Sequence, residues 1–279
     1  MNYNAPLIIN SNWLNYQDIN LTPRNDDKQI YLTCDKTLPN CEIPDNIIKV
    51  FLMTEPRSVM PRLREYLLLH YLKFHFDLTY DAEILKYCPN ATFLPFGTSW
   101  MNEIHYENIN TSNKQFKIST IIGSKSFALG HVLRTELYNN KAKIAIPNKF
   151  FISSREQEAK FLIGKRLPKN SKNKLFNTFK YSLVIENSRQ ENYFTEKLID
   201  CLITKTIPIY YGAPNISEYF DTTGWIILDT ENVLECIDKI NTLKDEYFEY
   251  ELVVNSNWEK AHAYLNYEKR IETFLNGIP

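Results

Sequence analysis

The stretch from Phe179 to Gly212 constrains this 279-residue chain most. Phe179 to Ile185 (FKYSLVI) is an apolar run of strand length, Glu186 to Phe194 is a polar loop, Thr195 to about Thr204 reads as a helix, and Ile207 to Tyr211 (IPIYY) is a second strand stopped by Gly212. A right-handed crossover of this kind makes two parallel strands. It places the intervening loop at their carboxyl edge, beside a helix N-terminus.

The rest of the chain repeats that alternation. Short extended pieces are expected at Leu7 to Ile9 and Ile30 to Leu32, and Ile47 to Met53 (IIKVFLM) is a strand closed by Thr54-Glu55-Pro56. Between Val59 and His75 the residues Leu63, Tyr66, Leu67, His70, Tyr71 and Phe74 recur at helical spacing. Strands are expected at Phe76 to Tyr80, Ala91 to Pro95, Phe116 to Ile122 and Lys143 to Ile146, and a helix at Leu129 to Tyr138. Ser153 or Ser154 with Glu156 or Gln157 resembles a capping box for a helix that Gly164 ends, and a tail helix spans roughly Trp258 to Leu275. The fold class is α/β, with two domains expected at 1–140 and 141–279 and a tail helix able to pack back on the first.

Composition removes several classes. Thirty-two basic against 33 acidic residues give a net charge of -1, so no basic face points to nucleic acid. The 7 glycines never fall into G-x-G-x-x-G or G-x-x-x-x-G-K-[ST], which removes the dinucleotide fingerprint and the phosphate loop. Five cysteines without a C-x-x-C pair indicate neither a disulfide framework nor a zinc knuckle and favour a reducing compartment. Neither H-E-x-x-H nor D-x-D occurs, and His70, His75, His105 and His262 read as isolated histidines, so no metal site is expected. No apolar run approaches a membrane span and no signal sequence opens the chain, so a soluble, cytoplasmic protein is expected.

In the crossover, Glu186, Asn187, Tyr193, Glu196 and Lys197 gather where the amides of a helix start are unpaired, which suits a phosphate. Lys197 supplies charge, and Glu196 is suited to accept hydroxyl protons from a ribose or sugar. Glu55 stands at a strand end, and the proline after it keeps it out of a helix. The basic loop around Gly164 to Asn173 contributes Arg166 as a further cation; a capped helix start with a solvated face is the structural alternative for Thr195-Glu196-Lys197.

The run Val184 to Asn215 (VIENSRQENYFTEKLIDCLITKTIPIYYGAPN) resembles the nucleotide-binding motif of the family 10 glycosyltransferases, the α1,3/4-fucosyltransferases. Phe51 to Ser58 (FLMTEPRS), then LTYDAEIL and FLPFG, are similar to upstream segments of that family in the same order. The resemblance implies a GT-B arrangement of two Rossmann-like domains facing a cleft, and inverting transfer of fucose from GDP-fucose to a glycan hydroxyl, α1,3-linked, with no cofactor or metal. It further implies that Lys197 meets the pyrophosphate, Glu196 the ribose or fucose hydroxyls, Tyr193 and Asn187 the nucleotide and sugar-phosphate, and that Glu55 is the general base. The chain departs from the family at Gly123 to Arg134, where Gly130 or His131 takes the place of a phosphate-binding arginine and Lys125, His131 or Arg134 must substitute. A different nucleotide-sugar, or a binding protein without turnover, are the other readings the residues allow.

Overall fold

Two all-parallel five-stranded sheets, each within its own unit, carry the helices. The computed structural model describes residues 7–11, 14, 19–22, 28–35, 43–101, 109–153, 162, 165–168 and 171–278. The helix expected between Ser153 and Gly164, like Cys41 and His105, lies outside the described residues.

The first unit comprises 1–96, 191–193 and 266–279. Its strands β1 (Leu7–Asn10), β2 (Ile30–Cys34), β3 (Ile48–Leu52), β4 (Phe76–Thr79) and β5 (Ala91–Phe93) lie side by side in chain order. Alternation along β3 divides the core, since successive side chains of a strand face opposite ways. Val50 and Leu52 join Leu32, Leu78 and the helix α7 (Tyr267–Asn276) through Tyr267, Ile271 and Leu275. Phe51 and Met53 pack instead with α1 (Pro61–His70) and α2 (Ala82–Tyr87) through Leu63, Leu67 and Ile84. Pro61 opens α1 at the first helical position, where its missing N–H costs nothing. The helical spacing that runs on to His75 ends earlier, passing into a 3-10 turn at Tyr71–Lys73.

Asp77 sits in the middle of β4 with no exposed surface. Burial pushes its carboxyl up to about 7, against a smaller opposing pull from the Asn90 amide. The folded protein therefore holds a proton there that the unfolded chain releases near its ordinary value, so stability falls as pH rises from about 4 to about 7. Asp77→Asn is expected to flatten that slope and raise the melting temperature at pH 8 by roughly 5 °C, read by calorimetry across pH.

The second unit comprises 97–190 and 194–265, with sheet order β10-β9-β8-β6-β7. The strands are β6 (Gln115–Ile122), β7 (Asn148–Ile152), β8 (Phe179–Ile185), β9 (Ile207–Tyr211) and β10 (Ile226–Ile227). Tyr181, Leu183, Ile185, Ile207 and Ile209 pack with α3 (Leu129–Asn139) and α5 (Val233–Asn241). Val184 and Tyr210 face α4 (Glu196–Leu202) and α6 (Glu251–His262). Every residue of β8 and β9 is buried, as continuous apolar runs in a doubly covered parallel sheet must be.

Three expectations need correction. The division falls after Phe96, not near residue 140, because β6 and α3 pair and pack with β8. The strand expected at Lys143 to Ile146 is a 3-10 turn at Lys141–Lys143 and a bend; the strand starts after Pro147, whose ring cannot donate to a ladder, and uses the Phe150-Phe151 pair. The tail is two helices rather than one, because Asn266 leaves helical geometry and caps α7 by accepting from the Lys269 amide at 2.7 Å. The helices α2 and α5 carry sequence signals that the reading passed over: Asp81 and Asn232 are N-caps, each accepting from two amides of the first turn.

Candidate active site

In the second unit β6 leads outward to β7, and the chain then returns to the other side of β6 to form β8. The strand order therefore reverses between β6 and β8, and their carboxyl ends are where open α/β sheets hold ligands. Glu186 follows β8 directly and is completely buried. Its Oε1 accepts from the Thr195 amide at 2.8 Å, and its Oε2 accepts from Thr195 Oγ1 at 2.7 Å and Lys197 Nζ at 3.2 Å. Thr195 in turn caps α4, accepting from the Lys197 amide. The loop residue Glu186 is thus committed to shaping the helix start.

Lys197 Nζ is 3.4 Å from Glu196 Oε1 and donates to Thr195 Oγ1 at 2.9 Å. Burial works against its charge, but the carboxylates of Glu186 and Glu196 outweigh it and hold the ammonium above its ordinary value. Burial likewise works against ionised Glu196, and Lys197 and Lys172 override it, so this carboxyl stays below the usual range. Both side chains are charged at neutral pH.

Asn187 lies beside them at the start of α3. Its backbone carbonyl accepts from the Gly130 amide at 3.2 Å, and its Oδ1 accepts from Arg134 Nη2 at 2.7 Å. Only glycine allows this approach, because a Cβ at position 130 would fall 1.8 Å from the Glu186 carbonyl oxygen. His131 is buried, and burial followed by Arg134, Lys125 and Lys197 pushes its imidazole down to about 4, so it is neutral at pH 7. Arg134, one turn along the helix, reaches the site instead. A small, partly open pocket has Thr120, Arg134, Lys172, Ser182 and Lys197 in its lining.

The structure does not bring all the sequence candidates together. Lys125 is exposed, its ammonium 5.9 Å from the centre of the Phe127 ring. Arg166 is exposed and bridges Ile152 at the end of β7, the outer strand. Tyr193 belongs to the first unit, where it is 1% exposed with its ring 5.3 Å from that of Tyr80; the Asn192 amide nitrogen donates to the Tyr80 carbonyl at 3.1 Å.

Also in the first unit, Glu55 stands just past the carboxyl end of β3 and is half-buried. A residue that the sequence reading missed fixes it. Asp35, held at a φ of 44° just after β2, accepts from the Thr54 amide at 2.9 Å and the Glu55 amide at 3.1 Å, and its other oxygen accepts from Thr54 Oγ1. The β2–β3 register, Cys34 opposite Leu52, brings these loops together. Four groups, Asp35, Glu55, Tyr80 and Asp81, share this strand edge: the Tyr80 phenol is pushed well up by burial and then by the three carboxylates.

An open parallel sheet with a lysine-bearing helix start at its reversal point is an arrangement in which α/β proteins hold phosphate groups. The profile of glycosyltransferase family 10 (fucosyltransferase), C-terminal part, matches residues 124–274, and the chain belongs to that family. Alpha-(1,3)-fucosyltransferase FucT of Helicobacter pylori is 35% identical over 115 residues, 39% of this chain and 24% of its own length. Alpha-(1,4)-fucosyltransferase of Arabidopsis thaliana is 44% identical over 107 residues, 36% of this chain and 25% of its own. The matches thus span about a quarter of these curated relatives. Among solved structures, an α1,3-fucosyltransferase with GDP-fucose superposes with a TM-score of 0.55 at 17% identity, covering 96% of this chain and 89% of that one. TarM does so with a TM-score of 0.53 at 15% identity, covering 90% and 54%. The fold is of the GT-B class, and no helix among the described residues is long and apolar enough to cross a membrane.

Proposed function

We propose that this protein transfers fucose from GDP-fucose to a hydroxyl of a glycan acceptor, forming an α1,3 linkage with inversion and without a metal. The observation that carries this reading is the Glu186-Lys197-Glu196 cluster at the start of α4, with Arg134 and Asn187 beside it, at the reversal point of the sheet. Family membership and the likeness to a fucosyltransferase solved with GDP-fucose support the donor.

In this reading Lys197 and Arg134 face the diphosphate, whose charge rises as the sugar bond breaks; fixed cations in a partly dry site stabilise such charge most. Asn187 orients a phosphate or sugar oxygen, and Glu196 accepts donor hydroxyl protons. The acceptor oxygen attacks the anomeric carbon and GDP leaves with the bonding electron pair. Glu55 takes the acceptor proton and ends protonated. Helix-end amides alone supply roughly 0.3–1 kcal/mol when exposed, so the side-chain cations must carry the rest. The first unit then serves the acceptor and the second the donor. The D-x-D metal handle absent from the sequence agrees with a route through protein cations.

Titration of the protein with GDP-fucose, GDP-mannose and UDP-galactose by calorimetry, in chelator, tests the donor and the metal together. Tightest binding of GDP-fucose is expected. Binding of UDP-galactose alone, or a strict need for added metal, would overturn the donor or the metal-free claim respectively.

A further inference from the structure

The basic loop that Arg166 represents delivers a different cation to the site. Lys172 opens the 3-10 turn Lys172–Leu175, where its Nζ is 2.5 Å from Asp200 Oδ2 and 4.0 Å from Glu196 Oε1. Glu196 and Asp200 are four residues apart on α4, so their carboxylates share one face. They are 6% and 0% exposed, and two like charges so placed cannot rely on water to screen them.

Asp200 is pinned. Its Oδ1 accepts from Ser99 Oγ at 2.7 Å and from the Trp100 amide at 3.1 Å, so it cannot turn away from Glu196. The ammonium of Lys172 also lies 5.1 Å from the centre of the Trp100 ring, whose π-face favours a cation there. From the other side Glu196 meets Lys197, which is shared with Glu186 and faces Arg134. Around Glu196, then, stand Lys172 and Lys197 as cations and the carboxyls of Glu186 and Asp200, the latter held above the usual carboxylate range by burial against the pull of Lys172. With Lys172 removed, one lysine would face three carboxylates, and a buried acid would have to take up a proton.

We propose that Lys172 is a positioning residue for the donor site: by bridging Glu196 and Asp200 it keeps Glu196 ionised and aimed to accept a hydroxyl of the bound nucleotide-sugar. The proposal rests on the donor reading given above and adds a residue that need not touch the donor. It also explains why the loop between β7 and β8 is basic: Lys172 has a partner built for it, whereas Arg166 is exposed.

The test follows the Glu196 carboxyl by carbon NMR across pH, and GDP-fucose binding by calorimetry from about pH 6 to about pH 8.5, in the wild type, K172M, K172R and K172M/D200N. K172M is expected to raise the Glu196 titration point by about three units, into the pH range of the binding measurements. Its GDP-fucose affinity should fall about tenfold for each unit by which that point exceeds the working pH, and recover as pH rises. K172R should restore both readouts. K172M/D200N, freed of the like charge, should return the Glu196 titration toward wild type, which simple loss of structure would not do. An unchanged Glu196 titration in K172M, or a shifted one with unaltered GDP-fucose affinity, overturns the positioning role. A wild type that binds no GDP-fucose although its Glu196 depends on Lys172 overturns the donor reading instead.

Discussion

Replacing Glu55 with glutamine is expected to lower turnover by about 10²–10⁴-fold while leaving GDP-fucose affinity within about twofold of the wild type, because a general base acts on the acceptor proton and not on the donor. The substitution keeps the size of the side chain and leaves the backbone amides of Thr54 and Glu55 on Asp35. The loss therefore reports proton transfer rather than loop collapse. Steady-state rates with an acceptor found by screening, set beside donor calorimetry, separate the two. Turnover within a few-fold of wild type would remove Glu55 from the mechanism, and a large fall in donor affinity would show that it serves binding. Asp35→Ala provides the matching control: it should weaken turnover by releasing the loop, with the Glu55 carboxyl still present.

Removing Glu186 is expected to be the most damaging single change to the second unit. Its two oxygens receive the Thr195 amide, the Thr195 hydroxyl and Lys197 with no water access. Glu186→Ala leaves a buried amide and a largely buried ammonium with one partner fewer, and breaking a buried ion pair from one side costs about 3–5 kcal/mol. For a chain of this size that lowers the melting temperature by roughly 10 °C. GDP-fucose binding should vanish as well, since Lys197 loses the partner that holds it. Glu186→Gln, which retains an acceptor for the Thr195 amide, should recover most of the stability but little of the donor affinity. A melting temperature unchanged in Glu186→Ala would show that the cluster does not organise α4.

How much of this could be read beforehand depends on the distance over which each contact acts. The crossover from β8 through α4 to β9 was legible, because apolar runs, a cap and a glycine stop all fall within one local stretch. Glu55 was legible for a similar reason, as a strand run followed by proline announces a strand end. Asp35 was not, since its tie to Glu55 spans 20 residues and depends on the β2–β3 register. Lys172 was not either: every lysine of a basic loop looks alike until the fold selects the one that faces Asp200. Tyr193 shows the converse. Its position within the motif is local, but its burial against Tyr80 is set by a residue more than 100 positions earlier. The strand β7 was displaced by Pro147, a boundary whose side only the ladder decides.

The packing of α7 fixes a timetable for synthesis. Tyr267, Ile271 and Leu275 fill a core whose other members begin at Leu7, so the strands of the first unit wait for a helix made after the second unit before their apolar face is covered. During that interval the whole second unit is made, and its own sheet can close without them. Chaperone demand in a producing cell should thus centre on the strands of the first unit, although they are made before the second unit. A stop codon just before Asn266 would release a chain whose second unit is complete and whose first strands remain sticky, a product destined for aggregation rather than partial activity.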